Sequence, residues 1–552
     1  MPVHRWLVGW AVVVALLASC DPADVAAPRT TTGTVVPRAS ASVAPARGGT
    51  LRWAIPRPAA IVPGEATDDA GLLVVDTLFD SLTRVDDAGE VHPAAAVRWR
   101  SSDDGRRWRF TLRGDARYHD GTLVRARDFA ASWAHTVGLG LTGSHLQDVV
   151  GYRALRDGRR DQLAGVRAVD ESTLEIRLRH PMMDLPALVA HPTLAPLPAG
   201  ATAARRFADQ PVGNGPYRIA ERWGRGQFIR VQRDRDWHNG PSERSSARVR
   251  EIVFRIIDAD AAYVAFQQGR VDVAPVPAGA RRQALRTYGP ADQGRGPGVV
   301  DAPSPTLYFL AFHMDTPPWD DVEVRRALSR AIDRAALVEA QRDLELDPAR
   351  WIVPPALQEV APAVCDTCLH LPSLAADAFR RAGVTEVTLT IDAEGGHERV
   401  ARRIRADLAD VGVVVTVETL PFEAYLTGIE AGEIALYRFG WQAQYPSAGA
   451  MLEAVVRSGG PRERGDGANY GGYADDRVDK LLDRARRGRS AERGQLWARV
   501  EERALRDQAI VPLFSFRQRT VISERVRDLI LTPWGTASPE RARLVADPEI
   551  EG

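Results

Sequence analysis

Val387-Thr-Leu-Thr-Ile391, Val413-Val-Val-Thr-Val417 and Ile434-Ala-Leu-Tyr437 are three short apolar or β-branched runs that decide the fold class of this chain. Helical patterns at residues 398–411 and 422–431 fill the two intervals between them. The apolar face of the first helical pattern consists of Val400, Ile404, Leu408 and Val411, and Gly412 follows as a stop signal. Strand–helix–strand–helix–strand within about fifty residues predicts a parallel sheet with crossover helices, and therefore an α/β fold.

The remaining patterns fall into two regimes. The first half of the chain predicts mainly strands, at residues 51–55, 108–112, 174–178, 228–231 and 252–257, and one clear helix at 126–136. Further on, a strand at 307–312 precedes an amphipathic helix over 324–338, which Asp320 and Asp321 prime at its start. We therefore expect two lobes, with the change near residues 303–305 and the C-terminal tail returning to the first lobe.

The composition is that of an ordinary globular protein. Of 552 residues, 45% are hydrophobic and 26% are charged. The 72 basic and 72 acidic side chains give a formal net charge of zero and are scattered, which argues against a polyanionic partner such as nucleic acid. Lys480 is the only lysine, and no glycine loop precedes it, which excludes a P-loop ATPase.

The N-terminal segment predicts export and anchoring. His4 and Arg5 precede an apolar run of 13 residues at 6–18, which has the length of a secretory signal and is too short to span a bilayer. Leu17-Ala18-Ser19-Cys20 then resembles the lipobox of bacterial lipoproteins, which implies cleavage after residue 19 and a lipid on Cys20. An ordinary cleaved signal with an incidental cysteine is the alternative. Residues 20–47 are expected to form a lipid-anchored, disordered linker because they are rich in Ala, Thr, Pro and Ser.

Cys365 and Cys368 are the other two cysteines, and they lie in a proline-rich segment. Outside the cytoplasm such a pair favours a local disulfide. Free thiols and a redox role are the alternatives. A tetrahedral zinc site would need a second Cys-x-x-Cys or a histidine pair, and the sequence contains neither at the required spacing.

Several motifs carry a resemblance to one family. Residues 108–122 (Trp-Arg-Phe-Thr-Leu-Arg-Gly-Asp-Ala-Arg-Tyr-His-Asp-Gly-Thr), continuing to Ala126-Arg-Asp-Phe-Ala-Ala-Ser-Trp133, resemble the signature region of the family 5 solute-binding proteins. These are the extracytoplasmic receptors of oligopeptide, dipeptide and nickel ABC importers. The resemblance recurs in order at Leu78-Phe-Asp-Ser-Leu82, Gly213-Asn-Gly-Pro-Tyr217, Phe266-Gln-Gln-Gly-Arg-Val-Asp272, Val322-Glu-Val-Arg-Arg-Ala-Leu328, Gly440-Trp441, Asn469-Tyr-Gly-Gly-Tyr473 and Val511-Pro-Leu-Phe514. It spans residues 48–530, nearly the whole mature chain.

The resemblance implies a two-lobed periplasmic-binding-protein-like α/β fold of the class II type, with an extra subdomain inserted in the first lobe. The expected bounds are 48–80, 205–304 and 520–552 for the first lobe, 81–204 for the inserted subdomain and 305–519 for the second lobe. Ligand capture then occurs by hinge closure between the lobes. We interpret residues 213–217 as a tight turn at the lobe crossing.

The resemblance also implies candidate ligand-binding residues, which are Arg438, Trp441, Gln444 and Tyr445. In peptide-binding members, an arginine two residues before Gly-Trp lies near the ligand, and the tryptophan lines the cleft. An aspartate three residues after the tryptophan pairs with the peptide's α-amine, and here that position is Gln444. An amide supplies no countercharge, so an ordinary free peptide is in doubt, and Arg438 favours a ligand with an anionic group. A structural ion pair for Arg438 and a core role for Trp441 are the alternatives.

These features together predict a lipid-anchored binding protein of an ABC importer that delivers a peptide or peptide-like solute to a membrane permease served by a separate ATPase. A ligand sensor that reuses the fold and a binder of a non-peptide solute are the alternatives. The sequence lacks a Gly-x-Ser-x-Gly elbow and a His-Glu-x-x-His helix, so we expect no enzymatic activity, and we expect no cofactor or metal.

Overall fold

The computed structural model describes residues 45–46, 48–141, 143–201, 207–237, 247–292, 295–341, 344, 346–357, 365–461, 467–488, 490–532, 534 and 536–545. The signal segment, Cys20 and most of the linker lie outside the described residues. Across the part that is described, no helix is both long enough and apolar enough to cross a membrane.

The first lobe is built on a seven-stranded mixed sheet. Its strands are, in spatial order, Gly298–Pro303, Arg517–Ile522, Val273–Pro275, Thr50–Ile55, Glu251–Ile256, Phe228–Arg233 and Tyr217–Ile219. Thr50–Ile55 runs parallel to both of its neighbours. Two core clusters cover this sheet. One draws its residues from 51–79, 195–300 and 522–544, and the other combines Ala54, Ala274, Val299 and Val521 of the sheet with residues drawn from 262–284. A small three-stranded sheet of Pro45–Ala46, Arg543–Val545 and Val526–Arg527 lies beside it in the chain's terminal segments.

The second lobe is built on a six-stranded sheet. Its order is Asp347–Pro348, Val511–Ser515, Thr306–Phe312, Leu436–Gln442, Glu386–Asp392 and Val414–Leu420. Glu386–Asp392 pairs in parallel with both Val414–Leu420 and Leu436–Gln442, and this confirms the parallel β–α–β–α–β unit predicted from the sequence. Two core clusters cover this sheet.

A third body of structure is inserted in the chain between two strands of the first lobe, Thr50–Ile55 and Tyr217–Ile219. It contains a four-stranded antiparallel sheet, Ala96–Ser101, Arg107–Leu112, Thr173–Arg177 and Val166–Ala168, and a hairpin of Thr83–Val85 and Val91–Pro93. Its buried residues, from Leu82 to Leu194, form a core of their own. We call residues 82–194 the inserted region. These separate cores support the domain bounds given above, which we keep as a proposal.

The helices connect and cover these sheets. They are Asp69–Leu78, Ala126–Leu139, Tyr152–Arg156, Leu185–Leu188, Ala259–Gln267, Arg281–Tyr288, Val322–Ala331, Arg334–Glu339, Pro372–Ala382, Glu398–Ala409, Phe422–Ala431, Ala448–Val456, Asp476–Arg487 and Ser490–Arg506. Short 3-10 turns occur at Gly143–Leu146, Pro192–Leu194, Pro355–Leu357 and Asp366–Cys368.

The chain crosses between the two large sheets at two adjacent places. One crossing joins Gly298–Pro303 to Thr306–Phe312, and the other joins Val511–Ser515 to Arg517–Ile522. The two crossings touch, because the Ser304 N–H donates to the Phe516 carbonyl at 2.9 Å. Two short, hydrogen-bonded segments therefore connect the lobes, which is the arrangement that a hinge requires.

Two predicted elements differ from the structure. The single helix expected over 324–338 is two helices, because Asp333 interrupts it and caps the second by accepting from the Ala336 N–H at 3.0 Å. The strand expected at 434–437 instead spans Leu436–Gln442, because it pairs along its whole length with Thr306–Phe312. This longer strand carries the candidate ligand-binding residues.

Candidate functional site

The strand Leu436–Gln442 sends its side chains alternately to opposite faces of the second-lobe sheet. Arg438 and Trp441 are three positions apart and so lie on different faces. Trp441 belongs to the core cluster on one face, while Leu310, the partner of Arg438 in register, belongs to the cluster on the other. The two side chains therefore cannot act on a ligand as one continuous surface.

Arg438 forms a buried ion pair with Asp392. Its Nε donates to Asp392 Oδ1 at 2.6 Å, and its Nη2 contacts the same oxygen. The side chain of Arg438 is 9% exposed and that of Asp392 is 2% exposed. The guanidinium lies over the rings of Tyr308 and Tyr425, at 5.9 and 5.8 Å from their centroids. The sequence leaves two roles open for Arg438, and the structure contains the ion pair: the guanidinium charge is paired with Asp392, because a buried guanidinium without a partner would be costly. A ligand-binding role for Arg438 stays a prediction.

His397 completes this buried cluster. Its Nε2 lies 3.5 Å from Asp392 Oδ1, and its Nδ1 lies 3.1 Å from the Tyr308 hydroxyl. Burial lowers the pKa of His397, and the charge of Arg438 lowers it further, against the opposing effect of Asp392. Burial alone would raise the pKa of Asp392, but hydrogen bonding to His397 and the charge of Arg438 hold it below its usual range. The cluster therefore contains one carboxylate, one guanidinium and a neutral imidazole at pH 7.

Trp441, Gln444 and Tyr445 meet at a small cavity of about 60 Å³, where the second lobe touches the inserted region. Trp441 is 6% exposed, and its indole N–H donates to the Ala450 carbonyl at 3.2 Å, so it serves both the core and the cavity wall. Tyr445 is half-buried and packs against the core of the inserted region. Burial, followed by the nearby carboxylate of Asp184, raises the pKa of its hydroxyl.

The opposite wall of this cavity comes from the inserted region and holds the closing contacts between the two bodies. Asp148 accepts from Arg486 of the second lobe, and Asp184 accepts from Arg493. The Ser447 hydroxyl donates to Asp184 Oδ2 at 2.7 Å. Burial alone would raise the pKa of Asp148, but the charges and hydrogen bonds of Arg486 and His180 together outweigh burial and hold the pKa far below its usual range. These interlobe ion pairs had no signal in the sequence, since Asp148 and Arg486 are 338 positions apart.

The Gly213–Tyr217 segment does not lie at a lobe crossing, so that interpretation is wrong. Gly213 and Gly215 pass against the backbone of Leu78 in the first lobe, and a Cβ at position 213 would lie 1.9 Å from the Leu78 carbonyl oxygen. The Asn214 side chain donates to the Asp80 carbonyl and accepts from the Asp80 N–H. The segment therefore packs against the C-terminal end of the Asp69–Leu78 helix, at the point where the chain comes back from the inserted region to the first lobe.

Cys365 and Cys368 are joined in a disulfide, with their Cα atoms 5.2 Å apart. Both are buried in the second-lobe core. The ligand-site cavity does not include them. Within the described ranges, no group of three histidine, cysteine or acidic side chains is placed to hold a metal ion.

Comparison with known proteins gives a consistent result. Residues 90–462 match the family described as bacterial extracellular solute-binding proteins, family 5 Middle. The chain is 25% identical to the probable deoxycholate-binding periplasmic protein YgiS of Escherichia coli over 485 residues, which cover 83% of this chain and 86% of that protein. It is 26% identical to the periplasmic murein peptide-binding protein MppA of Escherichia coli over 492 residues, covering 84% and 87% respectively.

The fold has a close counterpart among solved structures. The unliganded open form of the murein tripeptide-binding protein MppA superposes with a TM-score of 0.75 at 23% identity, covering 92% of this chain and 99% of that one. The agreement over almost the full length of both chains identifies the architecture as the two-lobed fold of periplasmic binding proteins.

Proposed function

The chain belongs to family 5 of the bacterial extracellular solute-binding proteins, and from that membership we propose that it is the receptor of an ABC importer that captures a peptide or peptide-like solute between its lobes. The family consists of transport receptors rather than enzymes, and we extend this to the present chain. The captured solute then passes to a membrane permease with a separate ATPase.

The single observation that carries this proposal is the position of Trp441, Gln444 and Tyr445. These residues, assigned to the ligand by the family resemblance, line a cavity at the contact between the second lobe and the inserted region. A site whose walls come from two bodies is formed and broken as those bodies move. The paired crossings at Ser304 and Phe516 supply the axis for that motion.

We further propose that the receptor is extracytoplasmic and is anchored to the cell membrane by a lipid on Cys20, in the periplasm or at the outer face of the membrane. The Leu-Ala-Ser-Cys sequence supports this, as does the Ala-, Thr-, Pro- and Ser-rich composition of residues 20–47, which is typical of a linker. Two acyl chains give stable anchoring where one is marginal. A tethered receptor raises the local concentration of captured solute at its permease.

The experiment that tests the receptor proposal is identification of the bound solute. The protein is purified without denaturation, its bound small molecules are released and analysed by mass spectrometry, and the candidates are titrated back by calorimetry. We expect short peptides with saturable, one-to-one binding. Recovery of no peptide, together with no heat from a panel of di- and tripeptides, would contradict the proposal.

A second candidate ligand class is an amphipathic, non-peptide anion such as a bile acid. It is favoured by the similarity to the probable deoxycholate-binding protein and by Gln444, which provides no countercharge for an amine. Trp441 offers the flat apolar surface that such a ligand would need. Deoxycholate belongs in the same calorimetric panel, and tight deoxycholate binding without peptide binding would select this alternative.

A further inference from the structure

Asp184 occupies a special position in the contact between the inserted region and the second lobe. Its side chain is 13% exposed and faces the cavity that also contains Gln444. The partners of its carboxylate are Arg493, at one oxygen, and the Ser447 hydroxyl, at the other. Both partners belong to the second lobe, whereas Asp184 itself belongs to the inserted region.

The neighbouring ion pair is arranged differently. Asp148 accepts from Arg486 of the second lobe, but it also accepts from His180 Nδ1 at 2.9 Å within the inserted region. Arg486 in turn has Glu453 of its own lobe at 3.4 Å. If the lobes move apart, Asp148 and Arg486 each keep a partner on their own side. Asp184 instead parts from both of its side-chain partners.

The size of the cavity shows that the lobes must separate for a peptide to reach these residues. About 60 Å³ has room for a few water molecules. Pockets that hold small organic ligands are typically about 300–1,000 Å³. A peptide that contacts Trp441 and Gln444 therefore enters as the inserted region withdraws from the second lobe, and it then faces the Asp184 carboxylate across the cleft.

We propose that Asp184 supplies the countercharge for the ammonium group of a peptide ligand, and that Arg493 stands in this structure where that group would bind. The proposal rests on the proposed function, since it names the residue that recognises the ligand's amine. It also accounts for Gln444. Glu453, the second-lobe carboxylate on this cavity, pairs with Arg457 and Arg486 of its own lobe, so the carboxylate missing at position 444 is supplied by Asp184 on the facing wall.

Replacement of Arg493 by the ligand's ammonium group keeps the Asp184 carboxylate paired with a positive charge. A ligand ammonium group that takes the place of the Arg493 guanidinium leaves Asp184 with a cation, and Arg493 moves away with its own lobe toward solvent. A ligand with a blocked amine leaves Asp184 facing the cleft without a cation, which is unfavourable for a charge removed from water. Free-amine ligands should therefore bind more tightly than their acetylated forms.

The test compares trialanine with N-acetyl-trialanine by calorimetry on the full chain. A hydrogen bond to a charged group has a strength that corresponds to roughly ten- to hundredfold in affinity, so the wild-type protein should prefer trialanine by about that factor. In Asp184→Asn, which keeps the shape and removes the charge, the preference should fall to near one. In Arg493→Gln, which removes the competing cation, trialanine should bind roughly three- to tenfold more tightly.

Asp157→Asn serves as the matched control, because Asp157 is an exposed carboxylate of the inserted region that pairs with Arg159 at 2.9 Å. It should leave the preference for the free amine unchanged. Thermal unfolding of each variant establishes that it is folded, and Arg493→Gln keeps the test decisive if Asp184→Asn does not fold. An undiminished preference in Asp184→Asn, or no gain in Arg493→Gln, would overturn the role of Asp184. Failure of the wild-type protein to bind either peptide would instead overturn the proposed peptide specificity.

Discussion

Replacing Arg438 by methionine separates a structural role from a ligand-binding role for this residue. Methionine fills much of the volume of the arginine side chain but leaves Asp392 ionised and buried, at 2% exposure. Breaking a buried pair by removing one partner typically costs about 3–5 kcal/mol. For a domain of about 150–250 residues, such as the second lobe, each kcal/mol shifts the midpoint of thermal unfolding by about 2–4 °C. The midpoint for the second lobe should therefore fall by roughly 6–20 °C. An exposed ligand-contacting arginine would change stability by no more than about 0.5 kcal/mol.

The pH dependence gives this prediction a second signature. In the wild-type protein the pKa of Asp392 lies below its usual range, so its contribution to stability is present at neutral pH and is lost only in acid. Without Arg438, burial raises the pKa of Asp392 above its value in the unfolded chain, so the carboxylate takes up a proton on folding. The free energy difference between the variant and the wild type should therefore shrink as pH falls from 7 toward 4. Protonation of His397, 3.5 Å from Asp392, would act in the same direction.

The assay is urea unfolding at several pH values, followed by circular dichroism. The double variant Arg438→Met with Asp392→Asn should recover much of the lost stability, because it leaves no buried charge behind. Arg380→Met is the matched control. Arg380 pairs with Asp377 at 3.0 Å with side chains 75% and 49% exposed, and such pairs contribute about 0–1 kcal/mol. If Arg438→Met unfolded like the wild type at every pH, the ion pair would not have the structural role described above.

Four further outcomes are expected. Cys20→Ser should release the protein from the membrane fraction, and retention at wild-type levels would contradict lipid anchoring. Thiol titration of the denatured, non-reduced protein should find neither Cys365 nor Cys368 free, whereas two titratable thiols would exclude the bond. The closed loop is tiny, so reduction should cost less than the roughly 3 kcal/mol of a 15-residue loop. Trp441→Ala should weaken peptide binding regardless of ligand charge by calorimetry, because its indole provides apolar surface rather than charge recognition, and a loss confined to one charge class would refute this. Gln444→Asp should increase the affinity for free-amine peptides by roughly tenfold or more over the wild type, and an unchanged affinity would refute the carry-over of this position from the family.

The elements that sequence reasoning located correctly are those with a strong local pattern of apolar residues. The helix predicted over 422–431 is Phe422–Ala431, and the strand predicted over 307–312 is Thr306–Phe312. In the helix the spacing of apolar residues reports which face is buried, and in the strand an unbroken apolar run reports burial on both faces, so each element can be recognised without knowledge of its neighbours. Collinear motifs then placed the chain in its family.

The elements that were misjudged depend on a partner distant in the chain. The strand carrying Trp441 extends to Gln442 because Thr306–Phe312 lies alongside it and pairs with it along its whole length, not because of its own composition. The helix over 324–338 breaks at Asp333, whose N–H also donates to Asp407 Oδ2 at 3.2 Å. The local pattern of a segment does not reveal such contacts, because the residues that stabilise the element lie elsewhere in the chain.

The candidate site divides in the same way. The sequence by itself determined which residue types stand at the family's ligand positions, including an amide where a carboxylate was expected at Gln444. Only the tertiary structure decided that Arg438 is neutralised by Asp392, 46 positions away, and that Asp184 faces the same cavity as Gln444 from the inserted region. The reason is that burial of a charge is tolerated only when an opposite charge is brought to it. Which charge that is depends on how the lobes fold and meet, and the local pattern of residues does not contain that information.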